Sequence, residues 1–191
     1  MSFILGHFTV IRTVLPVCTS TLTLPQKLPG IGAEIARELA RQGASVLITY
    51  ARSAREADVV VEELGRIKTG ANARFKAVQA DAAKALEAAE KTTAEATALF
   101  EGGGIDIIVN NAANGEDLDL SAVTPDTFDA CFHPNVLFPL LLVKLSKPVL
   151  RKKARIVNLS SAGARVGQSA LAKIRCTPFS LGHAPSFLKI G

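Results

Sequence analysis

The chain has 191 residues, 48% hydrophobic and 20% charged, enough to bury roughly 70% of its unfolded surface in one domain, which excludes a disordered, collagen-like or disulfide-scaffold protein. Its three cysteines, Cys18, Cys131 and Cys176, are odd in number and widely spaced with no CxxC or Cys/His pattern, so no disulfide framework and no metal site is expected, and a reducing, cytoplasmic setting is. The formal charge of +5 is unevenly placed: every acid lies between Glu34 and Asp129, and ten Lys and Arg follow with no acid among them.

The first 33 residues lack any acid, and they also lack the charged start and compact apolar block of a signal peptide. Residues 1–24 read as an irregular segment in which Thr21–Leu24 suits the register of a first strand. From Gly30 the apolar period alternates. Ile31, Ile35 and Leu39 predict one stripe of a helix that Gly43 closes in the left-handed conformation. Residues 44–51 are continuously apolar at their centre, as in a strand covered on both faces. Val59, Val60, Leu64 and Ile67 predict a second helix, residues 73–81 a strand, 82–100 an alanine-rich helix and 105–112 a third buried strand. Residues 125–150 read as mostly helical with interruptions at Pro134 and Pro139, and 154–161 as a fourth strand. The expectation is an α/β, Rossmann-like doubly wound parallel sheet over residues 25–163, incomplete because its first strand is irregular and its C-terminal strands are missing; residues 164–191 form a basic tail.

No membrane association is expected, since the best apolar run, Val136–Val143, is broken by Pro139 and followed by Lys144. The basic run Arg151, Lys152, Lys153 and Arg155 closes a helix and opens a strand without interleaved aromatic residues, so no nucleic-acid partner is expected. His133, beside Cys131, is expected to pack or hydrogen-bond within the long helix.

Ligands of parallel sheets bind beyond the carboxyl ends of the strands. Gly30, Ile31 and Gly32 open a helix whose first N–H groups are available to a pyrophosphate, or form a turn with no ligand. Roughly twenty residues on, where an acid usually holds the ribose of the unphosphorylated dinucleotide, the chain has Arg52 and Ser53. A guanidinium and a hydroxyl suit a 2′-phosphate; a solvated arginine with Ser53 as a helix cap is the bland alternative.

The set GIG with its helix, VLITYARS, QAD, IDIIVNNA, Asn-Val in the long helix and RIVNLSS resembles the short-chain dehydrogenase/reductase family, most of all its NADPH-using ketoreductases, over residues 30–168. The resemblance implies that Asp81 accepts from the adenine amine, and that Asn110 and Asn111 steady the central strand and line the coenzyme ribose. It also implies that Asn135 holds a proton-relay water and Ser161 bonds the substrate carbonyl. Turn chemistry accounts equally for Asp81, the Asn pair and Ser161, and a proline kink for Asn135. In the family a Tyr in YxxxK moves the proton, its pKa lowered by the Lys. Here Leu171 stands in the tyrosine's place and Arg175 in that of the lysine; Pro25 and Gln26 replace the first residues of the glycine turn, and the only tyrosine is Tyr50.

The first reading is therefore an NADP(H)-dependent oxidoreductase acting on a small carbonyl or alcohol, of ketoreductase type and secondary-metabolic flavour, with altered ends and impaired proton transfer. The second is a non-catalytic nucleotide-binding or interaction protein derived from one. Because the family usually pairs through its long helix, a homo-oligomer is expected.

Overall fold

The computed structural model describes residues 12–16, 30–67, 73–100, 104–114, 117–159, 173–175 and 188–189. In chain order these form β1 (Arg12–Pro16), α1 (Ile31–Arg41), β2 (Ser45–Tyr50), α2 (Ala54–Arg66), β3 (Phe75–Gln79), α3 (Ala85–Leu99), β4 (Ile105–Asn110), β5 (Asp117–Asp119), α4 (Pro125–Phe132), a π-turn (His133–Leu137), α5 (Phe138–Ser146), β6 (Leu150–Asn158), β7 (Lys173–Arg175) and β8 (Leu188–Lys189), with 3-10 turns at Leu120–Ala122 and Lys147–Val149.

The main sheet runs β3-β2-β1-β4-β6-β8, parallel throughout except for β8, which is antiparallel to β6. Order reverses on either side of β1, the doubly wound arrangement that opens a crevice at the carboxyl ends. The strand at its centre is Arg12–Pro16, whose register against Ser45–Thr49 is continuous. Thr21–Leu24, expected to fill that place, lies outside the described residues, so the central strand comes from within the segment expected to be irregular. Among the described residues, the two of β8 lie beyond β6, while β7 pairs with β5 in a separate ribbon. None of β5, β7 and β8 is legible as a periodic run in two or three residues.

Alternation within a strand builds two cores. Val46 and Ile48 of β2 face the layer of α1 and α2 with Ala36, Ala40 and Leu64, whereas Leu47 faces α3 and α5 with Ala89, Ala96, Phe138 and Leu142. The helix α1 corrects the expected stripe: Ala33, Ala36 and Ala40 are buried, Ile35 and Leu39 flank them, and Ile31 is 66% exposed. Small residues let the helix sit close on the sheet. Gly43 does end it in the left-handed region (φ +83), with Ala44 N–H bonding Leu39 O at 3.0 Å and Gly43 N–H bonding Ala40 O at 2.9 Å, a complete Schellman closure.

Cys131 is buried and disulfide-bonded, which the cysteine spacing did not anticipate. The continuous helical stretch Pro125–Val149 is, by length and mean hydropathy of 1.3 alone, long and apolar enough to cross a membrane. The same test is passed by core helices, and this one packs Phe138, Leu142 and Ser146 against α3, where Ser146 Oγ lies 3.3 Å from Thr93 Oγ1.

Candidate functional site

Parallel pairing sets the carboxyl ends of β1, β2, β3, β4 and β6 along one edge: Pro16 pairs with Thr49, Tyr50 with Gln79 and Asn110 with Asn158. The turns after β2 and β3 are tied together, since Ala80 N–H donates to Tyr50 O at 2.8 Å and the Gln79 amide to Ala51 O at 3.3 Å.

Gly30 is the N-cap of α1 and is exposed. Its carbonyl accepts from Ala33 and Glu34 at 2.8 and 3.3 Å, while the N–H groups of Ile31 and Gly32 meet no acceptor among the described residues. Having no side chain, Gly30 cannot cap them, so this helix start presents bare donors and the positive end of the helix dipole. Fourteen residues, 17–30, connect β1 to this point.

At the end of β2, Arg52 is exposed and makes no hydrogen bond or ion pair with any described residue. Ser53 occupies the N-cap position of α2, yet its hydroxyl makes no capping bond. The bland account, in which Ser53 serves the helix, therefore leaves its hydroxyl idle. Asp81, after β3, is exposed and folds one carboxylate oxygen onto Ala83 N–H at 3.0 Å, while its carbonyl accepts from Lys84 N–H at 2.8 Å. This is the turn chemistry expected of an acid before a helix, and its second oxygen remains open to another donor.

Asn110, 6% exposed at the end of β4, donates through Nδ2 to Asn158 Oδ1 at 2.8 Å. Its own Oδ1 is buried with no hydrogen-bond partner, an acceptor whose desolvation is uncompensated unless a donor arrives. Asn111, next in the chain, is half-buried. Asn135, 3% exposed, lies in the π-turn and is clasped by one residue: its Oδ1 accepts from Asn114 N–H at 2.7 Å and its Nδ2 donates to Asn114 O at 2.9 Å. Its position follows from Pro134, which breaks the α pattern of the long helix.

His133 departs from expectation. Its Nδ1 lies 3.1 Å from Ala83 O, so it reaches out of the long helix to the turn that follows Asp81. Sequence reasoning also missed Asn158 and Asn114; the Asn in RIVNLSS was visible, and no local pattern marked Asn114. Ser161 and the Gln168–Leu171 segment lie outside the described residues, as do Pro25 and Gln26; Arg175 falls in β7. Gly30, Ile31, Gly32, Arg52, Ser53, Asp81 and Asn110 thus gather on the strand-end edge, and Asn135 is fixed to it through Asn114.

Residues 28–173 match the short chain dehydrogenase family. A short-chain dehydrogenase/reductase, FrzI, from Cladobotryum sp is 39% identical over 74% of this chain and 52% of its own length. A hydroxynaphthalene reductase-like protein from Metarhizium robertsii is 34% identical over 72% of this chain and 49% of its own. Among solved structures, a short chain dehydrogenase from Burkholderia cenocepacia in complex with NADP is similar with a TM-score of 0.71 and 30% identity, over 87% of this chain and 61% of that one. The chain spans about half the length of the curated relatives it matches.

Proposed function

The chain belongs to the short-chain dehydrogenase family, and from that premise we propose that its strand-end edge holds NADP(H) for an oxidoreductase of ketoreductase type whose substrate is a small carbonyl or alcohol. The observation that carries the reading is the adjacent, uncommitted pair Arg52 and Ser53 beyond β2. A 2′-phosphate offers that pair a charge and acceptors, whereas an unphosphorylated ribose gives the guanidinium nothing to neutralise.

The other contacts follow from the same edge. The Ile31 and Gly32 N–H groups face the pyrophosphate, and the open oxygen of Asp81 takes the adenine amine, with Asn110 lying beneath at the end of β4. The binding unit is residues 25–163 completed by β1. The NADP-bound relative supports the choice of coenzyme, and the hydroxynaphthalene reductase-like relative supports a reductase. The coenzyme supplies hydride; this chain's residues must orient the carbonyl and deliver a proton. Ser161 and Asn135 take the parts of carbonyl donor and water holder, but Leu171, in the tyrosine's place, has no proton to give. Tyr50 belongs to β2 and packs against the α1 and α2 layer. Turnover is accordingly slow relative to binding.

That mismatch favours a second reading, a nucleotide-binding protein without catalysis. Exposed Phe128, Phe132 and Leu140 along the long helix support self-association in either case. Fluorescence titration of the chain with NADPH and NADH tests the first claim, with tighter NADPH binding expected and absence of NADPH binding by folded protein overturning it. Single-turnover oxidation of bound NADPH across a ketone panel separates the two readings.

A further inference from the structure

The π-turn of the long helix is tied to two strand-end loops at once. Asn135 grips the loop after β4 through Asn114. Two residues earlier, His133 grips the turn after β3 through Ala83. Ala83 is the residue before the N-cap of α3, so its carbonyl takes no part in the helix ladder, which begins with Ala88 N–H on Lys84 O. Its N–H is held by the Asp81 carboxylate and its C=O by the imidazole. A carbonyl only accepts, so Nδ1 of His133 carries the hydrogen. Both the neutral Nδ1–H tautomer and the imidazolium meet that requirement.

The geometry points to His133 as a positioning residue that couples the Asp81 turn to the Asn135 turn. This inference rests on the coenzyme reading above and deepens it: a nucleotide whose adenine engages Asp81 stiffens the Asp81–Lys84 turn, and His133 carries that restraint into the helix segment that orients Asn135. The link joins residues 50 apart in sequence by one hydrogen bond, so its loss uncouples the two loops without removing either from the edge.

The test uses adenosine 2′,5′-bisphosphate, which has the adenine and the 2′-phosphate but no nicotinamide. In the wild-type chain it slows amide hydrogen exchange both around Ala83 and at Phe138, whose N–H bonds His133 O across the π-turn. In His133→Phe its affinity falls by about fivefold, the low end of a coupling free energy between two sites, and protection stays confined to the Ala83 turn. His133→Asn, whose amide nitrogen reaches where Nδ1 was, restores affinity and long-range protection. Because the wild-type exchange experiment needs no variant, the inference is testable even where His133→Phe fails to fold. A wild-type chain that binds the bisphosphate without protecting Phe138, or variants that bind it with unchanged affinity, overturns the coupling and leaves the coenzyme reading intact. A folded wild-type chain that binds no bisphosphate overturns both.

Discussion

The side-chain amide of Asn114 donates to the carbonyl of Ala130 at 3.1 Å, the acceptor that Pro134, four residues further along the helix and without an N–H, cannot serve. The proline that breaks the helix beside Asn135 is thus compensated by the residue that also clasps Asn135.

Removing that compensation exposes its size. Asn114→Ala keeps the backbone clasp on Asn135 but leaves Ala130 O to water, and it costs about 1 kcal/mol of stability in urea denaturation. In a Pro134→Ala background the new N–H serves Ala130 and the same substitution costs close to nothing. Equal costs in both backgrounds show that Asn114 does not compensate for the proline.

Lys153 holds a φ of 94°, in the left-handed region, within the irregular stretch of β6 where Ile105 and Ile107 of β4 face Leu150 and Arg155. An L-residue there costs about 1–2 kcal/mol, partly offset in a Gly variant by greater unfolded-state freedom. Lys153→Gly therefore raises stability by about 0.5–1 kcal/mol, and Lys153→Ala, which keeps the Cβ, does not. Thermal denaturation of the pair distinguishes relief of strain from loss of charge.

Much of this fold was legible because β2 and β4 are uninterrupted apolar runs covered on both faces, and the helices between them are long enough to carry a period. The helix α1 was legible as a helix but not in its orientation, since burying Ala33, Ala36 and Ala40 rather than Ile31 depends on how close the sheet lies. The central strand was not legible: Arg12–Pro16 is short, ends in proline and competes with Thr21–Leu24 for one register. Of the residues proposed for the site, those standing directly at a strand end (Arg52, Asp81, Asn110) are marked in the sequence by position. Residues that act through distant partners, Asn114 on Ala130 and His133 on Ala83, carry no local signature because the partner in each case is a backbone carbonyl.

Arg37 joins α1 to α2. Its Nε donates to Glu63 at 2.9 Å and NH1 to Glu34 at 2.6 Å, with its side chain only 16% exposed. Arg37→Ala lowers stability by about 1 kcal/mol, an effect that shrinks as salt is added. Arg37→Lys recovers little of it, because an ammonium cannot engage Glu34 and Glu63 in one plane. Full recovery by lysine in urea denaturation contradicts the forked geometry.

The last turn of α1 carries a pH dependence. Glu38 is held below the ordinary glutamate value, first by the hydrogen bond from the Gln42 amide and then by Arg41. A carboxylate with a lowered folded-state pKa contributes its stabilisation in full above the unfolded value, and that contribution disappears as pH falls through the lowered one. Gln42→Ala moves the Glu38 titration, followed by carboxyl carbon NMR, upward toward the ordinary value. An unmoved titration assigns the shift to Arg41 instead.

Arg52 tests the coenzyme reading most directly, because it makes no hydrogen bond or ion pair among the described residues and so has no structural duty there to confuse the result. If a 2′-phosphate is its partner, Arg52→Ala weakens NADPH binding by about tenfold or more while leaving NADH binding within about twofold, since only the charge-assisted bond is removed. Arg52→Lys keeps a charge without the fork and falls between the two. The thermal midpoint of the ligand-free protein stays put in both variants, because an exposed, unpaired guanidinium contributes little to folding. Fluorescence titration reads the affinities and calorimetry the midpoints. Equal loss for both coenzymes places Arg52 on the pyrophosphate or outside the site, and the preference for the phosphorylated form then has to come from Ser53 alone.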